Sequence, residues 1–210
     1  GTATAAWSGK TTADLLDVMA PTSRVILSWS DQWTTGTNVN SVASLSFNKG
    51  GVPFKWASDE SNLSALQKAK IGLDTTTPMA TSGQDILDYI RGVRSNEATS
   101  GPFRARQSAQ GDIVNSGIWY TGAPAQGYAL QGYDGFVRAQ KGRTPMIYVG
   151  GNDGMLHGFS ATDGTEKIAY VPNGVLPKLK DLADPNYSHK YYVDGSPMTG
   201  DVELGGVVAP

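Results

Sequence analysis

Tyr148-Val149-Gly150-Gly151-Asn152-Asp153-Gly154-Met155-Leu156-His157-Gly158-Phe159-Ser160-Ala161-Thr162-Asp163-Gly164-Thr165-Glu166 decides the fold class of this 210-residue chain. In and around it, short apolar runs such as Met146-Ile147-Tyr148-Val149 and Ile168-Ala169-Tyr170-Val171 alternate with clusters of Gly, Asn and Asp, the spacing of antiparallel strands. Asn and Asp hydrogen-bond their own backbone two residues on, and Gly takes positive φ freely, so the clusters read as turns. Asp153-Gly154 is a type I′ hairpin signal, in which both central residues have positive φ. Asp163-Gly164 repeats it. Met146 to Val149, Met155 to Phe159 and Glu166 to Val171 are therefore predicted to pair in sequence order as a meander, the inner part of one propeller blade.

Upstream, Ile113-Val114 and Ile118-Trp119-Tyr120 extend the same pattern, so antiparallel sheet is expected from Gly111 to Tyr170. Two helices are predicted to pack on it. The first runs from Ser58, as cap, to Lys70, with Asp59 and Glu60 in the positive first turn, Lys68 and Lys70 in the last, Gly72 at the stop and Leu63, Leu66 and Ala69 as its buried stripe. The second spans Gly83 to Arg91, with Ser82 as cap, Ile86, Leu87 and Ile90 on the apolar face and Gly92 at the stop. A short helix from Thr12, with Leu15, Leu16 and Met19 on one face, ends before Pro21. Arg24 to Trp29 is rich in strand formers. Ser30 to Ser41 reads as a loop, Phe47 precedes the turn Asn48-Lys49-Gly50-Gly51, and Thr75 to Ser82 is a linker. The fold class expected is mainly β with a few helices, residues 1–110 forming a mixed lead-in segment and residues 111–210 incomplete propeller blades.

Composition excludes several function classes. The formal net charge is −2, and no dense run of Lys or Arg occurs, so the attraction to phosphate backbones that nucleic-acid binding requires is missing. No apolar stretch approaches the ~20 residues of a spanning helix. The chain begins without a charged-then-apolar signal, so an export signal is expected upstream of Gly1. There is no cysteine, which removes disulfides, thiolate metal sites and thiol nucleophiles together and suits an exported protein.

Several blocks carry a family resemblance: Arg94-Ser95-Asn96-Glu97, Phe103-Arg104-Ala105-Arg106, Gly111-Asp112-Ile113-Val114-Asn115-Ser116, Gly122-Ala123-Pro124, then the blade itself, Tyr170-Val171-Pro172-Asn173 and Tyr191-Tyr192-Val193-Asp194-Gly195-Ser196-Pro197. The blade is similar to the repeat of quinoprotein-like propellers. The order of all these blocks resembles the start of the C-terminal domain of the PilC/PilY family of type IV pilus tip-associated adhesins and biogenesis factors. Where that family reads Asn-Ser-Ser-Pro, this chain has Asn115-Ser116-Gly117-Ile118. The resemblance implies a partial quinoprotein-like β-propeller in a non-enzymatic surface protein acting in pilus biogenesis and adhesion. Its partners would be minor pilins or the pilus tip and a host or abiotic surface. It would be extracellular or at the cell surface, exported through the periplasm. A propeller needs about four to eight blades, and residues 111–210 hold about two, so the chain is expected to be truncated, processed or partly represented. The calcium loop implied by the family would lie in later blades. Two rival readings are a pyrroloquinoline-quinone dehydrogenase, whose axial pocket needs many blades, and a generic outer-surface propeller scaffold.

No catalytic, cofactor or metal residue is assigned, and the partner-binding residues are not identifiable. Asp112, Asn152, Asp153, Asp163 and Asp194 offer oxygen donors, but none lies in the alternating pattern of a calcium loop, so they read as turn formers or strand-end caps. His157 is expected as a packed or hydrogen-bonding blade residue, and His189 in a loop. No Gly-x-Ser-x-Gly elbow supports hydrolysis. Arg91, Arg94, Arg104 and Arg106 read as members of structural ion pairs with Glu97 and Asp112 rather than as a basic patch. Trp7, Trp29, Trp33, Trp56 and Trp119 read as core rather than adhesive residues.

Overall fold

The structure, a computed structural model, describes residues 9–31, 50–72, 82–129, 132–204 and 207–209. Trp7, Trp33, Phe47, Asn48, Lys49 and most of the expected loop and linker fall outside the described residues. The described chain is mixed α/β. Helices α1 (Thr12–Asp17), α2 (Ala65–Gly72), α3 (Gly83–Ile90) and α4 (Tyr133–Ala139) accompany strands β1 (Ile26–Trp29), β2 (Gly51–Pro53), β3 (Trp119–Thr121), β4 (Met146–Gly150), β5 (Leu156–Ser160) and β6 (Glu166–Tyr170). A 3-10 helix (Asn173–Ala183) and the ribbon β7 (Val202–Leu204) and β8 (Val207–Ala209) follow.

One open six-stranded sheet has the order β2-β1-β6-β5-β4-β3. The meander read from the sequence is its centre: β4 pairs antiparallel with β5 and β5 with β6, and β3 adds to β4. A bulge at Gly158/Phe159 shifts the β5–β6 register. Strands from the lead-in segment extend the same sheet, β1 running parallel to β6 and β2 antiparallel to β1. This mixed sheet with helices replaces the mainly β class expected. Where about two blades were expected after residue 110, the described residues hold one four-stranded meander and the separate β7–β8 ribbon.

Expectation and structure part at four further places. Gly111 to Tyr170 is not continuous sheet, because residues 111–118 carry no strand and α4 interrupts it. Only Tyr133 and Phe136 of that seven-residue helix are buried, and Gly135 weakens its signal. The first predicted helix starts six residues late. Ser64, not Ser58, is its cap: Gln67 N donates to Ser64 Oγ at 3.0 Å and Ser64 N to Gln67 Oε1 at 3.1 Å, a reciprocal capping box. The new start turns Leu66 out to 60% exposure while Leu63 and Ile71 are fully buried. Lys68 reaches back to the Ala57 and Asp59 carbonyls instead of serving the helix end. The β4–β5 connection is also not a type I′ turn, since among the described residues only glycines take positive φ; Gly154 does (92°) and Asp153 does not.

Helix α3 forms as read. Ser82 Oγ accepts from Asp85 N and the Asp85 carboxylate accepts from Ser82 N, and Gly92 (φ 107°) ends the helix. The 3-10 helix carries Leu176, Leu179 and Leu182, all buried and three apart, which is the period at which 3-10 side chains align. Helices α2, α3 and the 3-10 helix pack with one another against one side of the sheet, where Ile26, Val52, Ala169 and Val171 meet Leu63, Leu87, Ile90 and Leu179 in a single core. Each such fully buried aliphatic side chain contributes about 1.5–3 kcal/mol relative to exposure.

Candidate functional site

The turn read as the fold signal is tied into a buried ionic chain. His157 has no exposure; its Nε2 donates to Asp153 Oδ2 at 3.0 Å and its Nδ1 to Glu166 Oε1 at 2.8 Å. Glu166 in turn accepts from Arg24 Nε at 2.7 Å and Nη2 at 2.9 Å, and Arg24 Nη1 reaches the Arg91 carbonyl. Strand geometry explains the meeting. Arg24, Ile26 and Ser28 alternate onto the covered side of the sheet, and His157 lies opposite Ala169 across the β5–β6 pair.

Burial alone would push the His157 pKa down, but the Asp153 and Glu166 carboxylates outweigh it and raise it to about 9. Burial would raise Asp153, yet the His157 charge, its hydrogen bond and Gly111 N hold it below the ordinary carboxylate range. Glu166 is likewise lowered against its burial by the bonds from His157 and Arg24. His157 is thus an imidazolium at neutral pH with both nitrogens donating. It has no lone pair to act as a base, which agrees with its reading as a hydrogen-bonding blade residue.

The sequence blocks that carried the resemblance also find one another. Asp112 O accepts from Asn152 N at 3.0 Å, Asp112 Oδ2 from Asn152 Nδ2 at 3.1 Å and from His189 Nε2 at 2.8 Å. Burial would raise Asp112, and the bonds from Asn152 and His189 lower it instead. Gly111 N donates to Asp153 Oδ2 at 2.8 Å. Further on, Asn115 N and Nδ2 donate to the Asp194 carboxylate, Ser116 Oγ to Gly195 O, and Gly117 N to Ser196 Oγ, joining positions 79 residues apart. At the position where the sequence departs from the family pattern, a Cβ on Gly117 would sit 3.0 Å from Ser196 Oγ, so the glycine suits this close approach.

The arginines are structural. Arg106 lies 3.6 Å over the Tyr89 ring and pairs with Glu97 at 2.8 Å, and Arg94 bridges Asp17 and Glu97. Arg91 donates to the Phe54, Pro21 and Arg24 carbonyls, and Arg104 to Leu182 O while lying over Tyr187. The expected pairing of these arginines with Asp112 is replaced by the Asn152 and His189 contacts. Asp163 sits in an exposed turn, its pKa held down to about 2 by the Thr165 hydroxyl and backbone N–H. The five oxygen donors therefore do not converge: Asp112, Asn152 and Asp153 are neighbours, whereas Asp163 and Asp194 lie elsewhere. Trp56 packs on the core, but Trp29 and Trp119 are 41% and 38% exposed, against the core reading.

Arg24 and Glu166 were not singled out in the sequence. Their signal is charge at a covered-side position of a strand, visible only once the strand's parity is known. Between the 104–112 segment and the 3-10 helix lies a cleft of about 420 Å³, lined among others by Tyr89, Arg104, Gln110, Asp112, Asn152 and Tyr187. A second cleft, of about 570 Å³, is lined by Gly122, Ala123, Pro124 and Tyr148 of the same blocks.

A family model described as the PilY1 beta-propeller domain matches residues 110–207, which take in the meander, the paired blocks and the Asp153, His157 and Glu166 members of the ionic chain, but not Arg24. The chain belongs to the PilY1 family of type IV pilus biogenesis factors. It is 42% identical over 165 residues to the type IV pilus biogenesis factor PilY1 of Pseudomonas aeruginosa strain PAK, covering 73% of this chain and 14% of the relative. It is also 42% identical over 134 residues to a PilY1 homolog of Xylella fastidiosa, covering 60% of this chain and 11% of that protein. The chain thus spans about a tenth to a seventh of the curated relatives it matches. No solved structure was found to match it. Among the described residues no helix is long and apolar enough to cross a membrane.

Proposed function

We propose that this chain is a propeller segment of a type IV pilus-associated surface protein that acts in pilus biogenesis and adhesion without catalysing a reaction. The observation that carries this reading is the 42% identity over 165 residues to a type IV pilus biogenesis factor. The geometry agrees in kind. Among the described residues the buried titratable groups His157, Asp153, Glu166 and Arg24 are bonded to one another and to backbone, which suits a scaffold. The partners proposed are minor pilins or the pilus tip and a host or abiotic surface, at the extracellular face after export through the periplasm. The finer fold proposed is a partial quinoprotein-like propeller, with no cofactor in these residues and any calcium loop in later blades.

The test is an in-frame deletion of this coding segment in the source organism, complemented by the intact gene. Surface pili and attachment should fall together and return on complementation. Unchanged piliation and attachment in the deletion strain overturn the reading.

A further inference from the structure

The cleft of about 570 Å³ at the β3 margin is lined by three parts of the chain. Strands β3 and β4 bring Trp119, Met146 and Tyr148; the loops after β3 and α4 bring Gly122-Ala123-Pro124 and Arg143; the segment before β7 brings Thr199-Gly200-Asp201. Trp119 lies opposite Tyr148 in the β3–β4 register, so both rings rise from the same side of the sheet. Trp119 is 38% exposed, yet its ring is tethered: Nε1 donates to Thr199 Oγ1 at 2.8 Å, and Thr199 Oγ1 shares a hydrogen bond of 2.6 Å with Thr121 Oγ1. Tyr120, of the other parity, folds back along its own chain, since a Cβ on Gly122 would sit 2.6 Å from Tyr120 Oη. The aromatic groups are in place before any ligand arrives.

The charged groups of the cleft are one ion pair. Arg143 Nε and Nη2 both donate to Gly122 O, and Tyr133 Oη donates to Asp201 Oδ2 at 2.9 Å. Arg143 Nη1 and Asp201 Oδ1 remain, 3.5 Å apart, without a hydrogen bond to a described residue. The Asp201 side chain is only 7% exposed, so a buried carboxylate keeps one acceptor oxygen unfilled next to an unfilled N–H donor. A hydroxyl meets both needs, because it donates to the carboxylate while accepting from the guanidinium. The pair is neutral as a whole, so a charged ligand gains nothing from it.

We propose that this cleft binds a neutral sugar, a hexopyranoside, with its C–H face on Trp119 and Tyr148 and one hydroxyl held between Arg143 Nη1 and Asp201 Oδ1. The site gives the adhesion reading a ligand class and rests on that reading. A pyranose matches the cleft in shape and charge: an apolar ring face bordered by groups that both donate and accept. Apolar walls with a few fixed polar groups, in a volume of this size, are the usual form of a small-molecule site. A purely apolar ligand would leave the Arg143 and Asp201 atoms unpaired and lose affinity. Asp201 is the one carboxylate among the described lining residues, whereas hydrolysis of a glycoside takes a pair, so the sugar is held and not cleaved.

The test uses the full-length protein. Methyl glycosides of glucose, galactose and mannose are titrated by saturation-transfer NMR and calorimetry, with a glucose phosphate and glucosamine as charged counterparts. At least one methyl glycoside should saturate with a Kd of about 1 mM or tighter, and ahead of both charged counterparts. Three variants locate it. Gly200→Phe sets a ring at the exposed mouth of the cleft, from a position where a Cβ meets nothing within 4 Å, and should abolish binding with the melting temperature unchanged. Trp119→Leu removes the ring face and Asp201→Asn the charge, and each should weaken binding more than about tenfold, the least that a hydrogen bond to a charged group is worth. Because Asp201 also holds Tyr133, Gly200→Phe supplies the result that no loss of folding can imitate.

No saturation by any of the methyl glycosides overturns the proposal. Binding that survives Gly200→Phe or Trp119→Leu, or equal binding of a charged counterpart, overturns it as well. A sugar of this kind has two sources, a host-cell glycan and the source organism's own surface polysaccharide, and each is offered as competitor for the bound glycoside. Competition by either supports the site and names the source; competition by neither overturns it. A deletion strain with unchanged piliation and attachment strikes the functional reading, whereas a full-length protein that binds no sugar while attachment still depends on this segment strikes the site alone.

Discussion

The β4–β5 turn holds Asp153-Gly154 and the β5–β6 turn holds Asp163-Gly164, and locally they are built alike. Asp153 Oδ1 accepts from Met155 N at 3.2 Å, Asp163 Oδ1 from Thr165 N at 3.0 Å, and the glycines have φ of 92° and 73°. Beyond the turn they differ. Asp153 is 9% exposed and holds His157 and Gly111 N, while the Asp163 side chain is about half exposed and, besides Thr165 of its own turn, meets Lys167 at 3.8 Å. The same two letters thus make a surface turn in one place and the end of a buried ionic chain in the other. What decides between them is the partner brought by another element.

The sharpest way to break this comparison is to delete each carboxylate. Asp153→Ala leaves the buried His157 charge with one partner, and removing one member of a buried pair costs about 3–5 kcal/mol. Asp163→Ala should stay within about 0.5 kcal/mol, as exposed substitutions do. Urea melts of the two variants check it, and equal losses would mean that the two turns are energetically equivalent. Asp153→Asn, which a pure turn-former reading makes silent, should cost more than about 1 kcal/mol because an amide cannot supply the charge.

His157→Gln approaches the same chain from its centre. It should destabilise by about 3 kcal/mol, since two buried carboxylates lose a charged donor while Glu166 keeps Arg24. A fall of less than about 1 kcal/mol would show that His157 is neutral in the folded protein.

Stability against pH sharpens the point. Raised from 6.5 to about 9, the folded His157 pKa gives a contribution fully present below about pH 6.5 and lost as pH rises through about 9. Asp153 and Glu166 are lowered, so their contribution is present above the ordinary carboxylate range and lost as pH falls from there through their depressed folded values. Melting temperature should therefore decline above about pH 7 in the parent chain, and that alkaline decline should flatten in His157→Gln.

A smaller effect is expected at the glycines. Gly154→Val places a branched side chain at positive φ with its Cβ 2.5 Å from Leu179 Cδ2, and should cost more than about 1 kcal/mol by thermal melting. An unchanged melting temperature would mean that the 3-10 helix yields at Leu179.

How much of this was legible follows from where the information lies. The three meander strands and α3 were readable because their signals are local: Ser82 and Asp85 sit three apart, and the apolar runs carry their own turns. Helix α2 was misplaced because Ser58 and Ser64 are both competent caps, and Gln67 decides between them through Trp29 O and Asn173 Oδ1, distant in sequence. Arg24 and Glu166 were invisible for the same reason. Their parity within a strand fixes the side they face, and only the parallel β1–β6 pairing brings those sides together. The exposed Trp29 and Trp119 reverse a residue-type expectation, since strand parity places both on the side of the sheet away from the helical core.

That parallel pairing sets an order of events in time. Arg24 and Glu166 are 142 residues apart, and closing a loop of such length costs about 4 kcal/mol in chain entropy beyond the constant term. The meander, by contrast, closes through short turns. Strand β1 can pair with β2 early, but its other edge docks on β6 late: a chain that emerges from its amino end must carry Ile26 and Leu27 without their β6 partners until residues 169–171 have arrived. Pulsed hydrogen exchange during refolding should find the β4–β5 amides protected before Ala169 N and Val171 N, which bond to β1 and the residue before it. A polypeptide with this arrangement has to shield that edge of its leading segment for as long as the trailing one is still on its way.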